Sequence, residues 1–154
     1  MGFADAMSAR LLSQFDVAVG KTESLGKMAF GERRVVAIDG GRASGSLSGV
    51  IRGGGADWQW LRHDGVTEIS ARYVLETPEG EAVEIHSDGY RHGPAEVMAR
   101  LARGEAVAPD EYYFRTALRF ATASARWQRL NGLLAVGVGE RRSDRVLIGV
   151  YEIV

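Results

Sequence analysis

Two short stretches concentrate the side chains able to hold or activate a ligand. In EIHSDGYR (residues 84–91), His86, Asp88 and Tyr90 alternate with Ser87, Gly89 and Arg91. In EYYFRTALRF (residues 111–120), Tyr113 and Arg115 alternate with Tyr112 and Phe114. Side chains two apart on a strand share a face. If the strands belong to a closed barrel, one face points inward, and an inward face carrying Arg, Tyr and Asp is a pocket lining. Arg72, Arg91, Arg115 and Arg119 form the informative set, and several of them fall beside Tyr73, Tyr90 and Tyr113 in mid-strand rather than at turns. On an outer face such arginines are simply solvated. On an inner face, with Tyr and Asp neighbours, they suit the bidentate fixing of a carboxylate or enolate.

Other motifs carry less. Val19-Gly20-Lys21-Thr22 ends like a phosphate loop, but Phe15 stands where the first glycine is required and no helix follows. No G-x-S-x-G elbow is present, which disfavours a serine hydrolase. His86, Asp88, His92 and His63 make too thin a donor set for a metal, which usually needs three or four convergent ligands. No metal and no cofactor is therefore expected. The tryptophans Trp58, Trp60 and Trp127 are more readily core than ligand stack, given the area they bury.

The elements that must position these residues are short strands punctuated by glycine. Strands are predicted over residues 11–20, 33–38, 43–52, 56–62, 66–77, 81–91, 111–121, 132–141 and 145–154. A loop is predicted over residues 21–31, and Asp39-Gly40-Gly41 is expected to stop the second strand. His63-Asp64-Gly65 and Pro78-Glu79-Gly80 read as hairpin turns. One helix, at about residues 94–103, is bracketed by Gly93 as cap, Pro94 in its first turn and Gly104 as stop. Val97, Met98 and Leu101 give it one apolar stripe, so it packs on the barrel as a lid or plug. Residues 122–130 are read as a short helical turn. Nine or ten strands with one helix favour a mainly β fold, a single antiparallel barrel rather than a sandwich. A barrel slightly larger than eight strands can enclose a small ligand.

Composition sets the frame. The chain has 154 residues, 45% hydrophobic and 25% charged, with net charge −1. That is one domain over residues 1–154, residues 1–10 forming a loosely ordered lead-in. It can bury about two thirds of its extended-chain surface. Acids and bases are interspersed, so nucleic acid is not an expected partner. The absence of cysteine excludes disulfides and thiolate metal sites. The N-terminus lacks the apolar run of a signal peptide, and no segment approaches the roughly 20 apolar residues of a membrane helix. A cytoplasmic location and no membrane contact are expected.

GGADWQ (residues 54–59), RYVLET (72–77), GYRHGP (89–94), EYYFRT (111–116) and AVGVGERR (135–142) together resemble the family called domain of unknown function 3237, also uncharacterised protein family 0311. The resemblance spans nearly the whole chain from Leu11 onward. It implies a compact antiparallel β-barrel of bacteria and fungi, with no established general activity. The characteristic polar set it implies is Asp57, Arg72, Arg91, Tyr113, Arg115, Arg119 and Asn131. Where the family tends to read T-P-R-F-E-T-G after its YYFR, this chain has residues 117–123 as ALRFATA, lacking the proline, the acid and the glycine. Chemistry resting on that glutamate is not carried over.

The leading expectation is a small, partly apolar organic anion held in the barrel interior. Arg115 and Arg91 hold the acid group, Tyr113 and Asp57 set orientation, and Trp58 or Phe120 supplies apolar wall. An alternative is a cofactor-independent isomerase, cyclase or hydrolase using the same cavity, with Asp57 or Tyr113 moving a proton. A second alternative is a solid-cored structural module that assembles as a homodimer or higher homo-oligomer.

Overall fold

A computed structural model describes residues 2–154. Nine antiparallel strands form one sheet: β1 (Ala9–Met28), β2 (Gly31–Gly45), β3 (Gly49–Ile51), β4 (Gly55–Arg62), β5 (Thr67–Glu76), β6 (Ala82–His92), β7 (Tyr113–Thr122), β8 (Ala135–Arg141) and β9 (Arg145–Ile153). The ring closes because β1 pairs with both β2 and β9, while β5 pairs with β3, β4 and β6. The expected barrel is present, and closure leaves most strand edges paired. Helix α1 (Ala95–Ala102) follows β6 directly. It is capped by Pro94 rather than Gly93, and Gly104 ends it at φ +78°.

Strand parity holds along most of the sheet: Phe15 and Val17 on β1, Val36 and Ile38 on β2, Tyr73 and Leu75 on β5 and Leu118 and Phe120 on β7 are buried, and their alternate neighbours are more exposed, as the pleat requires. It breaks on β1, where a register shift between Leu11 and Ser13 leaves Leu12 and Ser13 both buried. One half of the interior is filled solid. Phe15, Leu47, Ile51, Leu75, Val83, Ile85, Leu118, Leu130 and Trp127 belong to one packed cluster. A second cluster, Ile69, Val97, Val107, Tyr112 and Phe114, joins the helix to the barrel mouth.

Boundaries differ from expectation in three places. The strand expected over residues 43–52 is broken: residues 43–45 end β2, residues 46–48 bend, and β3 holds only Gly49–Ile51. Residues 21–28 are not a loop: β1 continues, pairing Thr22 with Val36 through Met28 with Gly31. The stretch looks loop-like because this end of the hairpin is exposed on both faces, so no apolar alternation is needed. Likewise Asp39-Gly40-Gly41 does not stop β2. Gly41, at φ +147°, lets the strand bend and continue, and a Cβ there would lie 2.1 Å from the Asp16 carbonyl oxygen. Such glycine irregularities are how sheets curl into barrels.

At the N-terminus, Met1 lies outside the described residues, Phe3–Asp5 form a 3-10 turn, and Ala9 and Arg10 already pair with Ile153 and Glu152. The helical turn expected before Leu130 lies slightly later, as a 3-10 segment Gln128–Gly132. No helix among the described residues is long and apolar enough to cross a membrane.

Candidate functional site

The other half of the barrel is hollow. A cavity of about 330 Å³ lies beneath α1, whose Met98, Leu101 and Ala102 form part of its roof. Val17 and Val19 of β1, Val36 and Ile38 of β2 and Val146 and Ile148 of β9 make an apolar wall. The polar lining is Arg34, Asp57, Gln59, Tyr73, Ser87, Arg91, Thr116 and Arg141, of which Arg34 shares β2 with Val36 and Ile38 and Arg141 pairs with Val146. The volume falls at the lower end of what small-ligand pockets occupy.

Inward parity explains each polar member. Asp57, Gln59 and Leu61 share the inner face of β4, leaving Trp58 and Trp60 outside. On β6 the inner residues are Ser87 and Arg91, separated by Gly89. A Cβ on Gly89 would lie 2.0 Å from the Arg115 carbonyl oxygen, so the approach of β7 needs glycine there. Gly139 of β8 lies against the Phe114 ring, where a Cβ would come within 2.7 Å. Phe114 can therefore lie flat beneath the Arg91 guanidinium, 5.3 Å from its centroid.

Asp57 is held from both sides. Gln59 Nε2 donates to Oδ2 at 2.7 Å and the Ser70 backbone N–H donates to Oδ1 at 3.0 Å. Arg34 Nη2 in turn donates to Gln59 Oε1 at 3.3 Å. Burial still pushes the Asp57 carboxyl above its usual range, outweighing those bonds and the nearby Arg91 and Arg141 charges. Burial, reinforced by the Arg141 charge, lowers Arg91 to about 10, so it remains cationic at neutral pH. Arg141 is also lowered by burial. The Tyr73 phenol is pushed up by burial and by the Asp57 charge. Arg34 Nε, Arg91 Nε, Tyr73 hydroxyl and Thr116 Oγ1 have no protein partner. Buried polar groups are ordinarily satisfied, and a guanidinium most of all. The cavity thus presents three cations, one carboxyl of raised affinity for its proton, and two unused hydroxyls.

A family model described as "Protein of unknown function (DUF3237)" matches residues 7–153. The chain belongs to the DUF3237 family. A UPF0311 protein of Rhodopseudomonas palustris is 39% identical over 136 residues, covering 88% of this chain and 89% of that one. The crystal structure of that protein, described as of unknown function, superposes with a TM-score of 0.91 at 36% identity, covering 96% of this chain and 97% of that one. A beta-barrel like protein from Acinetobacter baumannii gives 0.84 at 36% identity, with 96% of each chain covered. An enzyme from Penicillium herquei gives 0.71 at 16% identity over 96% of this chain and 95% of that one, a likeness of fold alone.

Of the nine residues expected to bind ligand, this DUF3237 barrel brings Asp57 and Arg91 into the cavity. Arg115 cannot join Arg91, because it pairs with Tyr90 while Arg91 pairs with Phe114; the two arginines have opposite parity. Outside, Arg115 Nη1 donates to the Phe114 carbonyl at 3.0 Å and the guanidinium lies 5.6 Å from the Tyr113 ring. Tyr113, 47% exposed, stacks on His92 at 4.9 Å. Trp58, 45% exposed, flanks Arg33 with Trp60 on the outer surface. Arg72 and Arg119 also lie outside, each with an Nη2 3.3 Å from His86 Nδ1. Phe120 is buried, but in the packed half. Asn131 binds both backbone groups of Thr122, donating to its carbonyl at 2.9 Å and accepting from its N–H at 2.8 Å. That closes the end of β7 beyond its pairing with β8.

Sequence reading missed Arg34, Gln59, Tyr73 and Arg141 as lining. Arg34 shares parity with Val36 and Ile38, and Tyr73 with Ala71 and Leu75, which is a usable signal. Arg141 follows Gly137 and Gly139 at the same parity, and glycines carry no burial signal of their own. The histidines are otherwise engaged: His86 Nε2 lies 3.1 Å from Asp88 Oδ2 and His63 Nε2 lies 3.0 Å from the Ala29 carbonyl. No group of three metal-ligating side chains converges among the described residues.

Proposed function

We propose that this protein holds a small, partly apolar organic anion in the hollow half of the barrel. Arg91 and Arg141 bind the acid group, Arg34 adds to the field through Gln59, and Asp57 orients the ligand. The observation that carries this reading is the surplus of guanidinium groups in one enclosed space without carboxylates paired to them. A buried cation left unpaired is costly, and an incoming anion supplies its partner. The apolar wall accepts the rest of the molecule. Calorimetric titration with a panel of aromatic and aliphatic carboxylates tests it. Arg91→Met is expected to weaken the best ligand at least about tenfold, as loss of a charged hydrogen bond implies, whereas Arg115→Ala leaves it unchanged. Equal affinity in wild type and Arg91→Met sinks the reading.

A second reading is favoured by the raised Asp57 carboxyl: a cofactor-independent isomerase, cyclase or hydrolase on the same class of ligand. Asp57 moves the proton while Arg91 and Arg141 stabilise the anion that develops. Proton NMR of 2-oxo acids in deuterium oxide provides the check. Exchange at the carbon beside the carbonyl, present in wild type and abolished in Asp57→Asn, supports catalysis. Exchange no faster than without protein leaves binding alone.

A further inference from the structure

The polar groups of the cavity are not equivalent in depth. On β5, Arg91 pairs with Thr67 and Asp57 with Ala71, four residues further in. That is about 13 Å of strand. Arg141 belongs with Arg91 at the mouth, since it continues β8 beyond Gly139 and its backbone N–H donates to the hydroxyl of Tyr112. Tyr73 lies still deeper than Asp57 on the same inner face. The mouth therefore offers positive charge and, among the described residues, no carboxylate. The floor offers the Asp57 carboxyl, each of whose oxygens already accepts one protein N–H and keeps a lone pair for another donor. Beside it stands the Tyr73 hydroxyl with no protein partner.

Resting on the anion-binding reading above, we infer that the ligand is a hydroxylated organic acid: a carboxylate at the Arg91–Arg141 mouth and a hydroxyl, at the far end of an apolar body, donating to Asp57 and meeting Tyr73. A simple apolar acid satisfies the mouth and leaves the Tyr73 hydroxyl buried without a partner and a lone pair on each Asp57 oxygen unused. A polar ligand with hydroxyls throughout leaves Val36, Ile38 and Ile148 facing oxygen. At about 330 Å³ the cavity takes roughly as many non-hydrogen atoms as the eleven or so waters of that volume, which suits one ring with short arms.

Matched pairs of acids differing in one hydroxyl test this by calorimetry on the full chain: benzoate against 4-hydroxybenzoate, cinnamate against 4-hydroxycinnamate, and 3-phenylpropanoate against its 4-hydroxyphenyl counterpart. In the best-binding pair the hydroxylated member is expected to bind about tenfold tighter or more, because sites built for a hydroxyl discriminate strongly against its absence. Tyr73→Phe and Asp57→Asn should each pull that ratio toward one, whatever Asp57→Asn does to the affinity of the parent acid, while Arg91→Met weakens both members alike. Parent acids that bind as well as their hydroxylated partners, or a ratio unmoved in both floor variants, overturn the hydroxyl assignment and leave the anion reading standing. No binding by any pair, or affinity indifferent to Arg91, removes both.

Discussion

Asp57 and Glu152 both lie inside the barrel, one lining its hollow half and one in its packed half, and their surroundings treat them in opposite ways. Glu152, 1% exposed, sits at the packed end between Arg10 and Arg129. Arg10 Nε donates to Oε1 at 2.7 Å and Arg129 Nη1 to Oε2 at 2.6 Å. Burial opposes its ionised form, yet the two guanidinium bonds outweigh burial and hold its carboxyl below the usual range. The triad ties the N-terminus, β9 and the 3-10 segment together. At the hollow end the cations around Asp57 make no direct bond to it, and burial prevails. The same residue types thus fasten the fold where the pairing is complete and leave unpaired groups facing the hollow where it is not. Incomplete pairing inside the barrel wall, rather than charge itself, is what sets the hollow end apart.

The comparison breaks most visibly at the packed end. Glu152→Gln removes the charge that two guanidinium groups bind at a dry position, and about 2 kcal/mol of stability should go with it. Both guanidinium groups are about half exposed or more and can return to water, which keeps the loss below that of a fully enclosed pair. Urea unfolding measures it, and an unmoved midpoint would deny the triad its structural part. The hollow end should answer with the opposite sign. Arg91→Met replaces an unpaired, desolvated cation with an apolar chain of similar reach, so stability should hold or rise by about 1 kcal/mol while anion affinity falls. A drop in stability as large as that of Glu152→Gln would make Arg91 a fastener too.

Acidity sharpens the contrast further. Glu152 is depressed in the folded protein, so its stabilisation is present above its ordinary value near 4.5 and is lost as pH falls through the lower folded value. Asp57 is raised, so its contribution is fully present below its ordinary value near 3.8 and is lost as pH rises through the higher folded value. Asp57→Asn should therefore gain on wild type as pH climbs above about 4, and Glu152→Gln should close its deficit as pH falls below about 4.5. Stability curves from pH 3 to 8 for the three proteins read both slopes. Parallel curves would mean that neither carboxyl is perturbed.

Much of the fold was legible because strand parity and glycine turns are local properties. The strands from β4 onward, the β4–β5 and β5–β6 turns and the lid-like helix follow from periods of two and 3.6, whereas the long β1–β2 hairpin and the short β3 do not. What parity cannot say is which of its two faces is inward, and here the residue types mislead. On β4 the large apolar side chains Trp58 and Trp60 lie outside with Arg33 between them, and the polar Asp57 and Gln59 lie inside. An apolar-in rule assigns that strand backwards. On β7 the rule works, since Phe114, Thr116, Leu118 and Phe120 outweigh Tyr113, Arg115, Ala117 and Arg119, and it excludes Arg115 from the interior. A polar hollow inverts the hydrophobic signal on a strand such as β4, so strands whose inner face also reaches the packed end, such as β7 with Leu118 and Phe120, are the safer guide to parity.

The smallest expected effect is the cleanest check on that parity. Arg91 and Arg115 differ in position by one rung of the same strand pair and by which side of the sheet they face. Arg115→Ala gives up a bond to the Phe114 carbonyl and an exposed contact with Tyr113. Stability should move by no more than about 0.5 kcal/mol, as for surface changes in general. Carboxylate affinity should not move, because a charge on the outer surface is screened by solvent and salt. Arg91→Met, one rung away, should change affinity at any salt concentration, since its charge acts across a water-poor interior. If Arg115→Ala weakens binding and 0.5 M salt restores equality with wild type, the outer arginines act by attracting the ligand from a distance. If the weakening survives that salt, the ligand touches the outer face and the hollow is not where it is held.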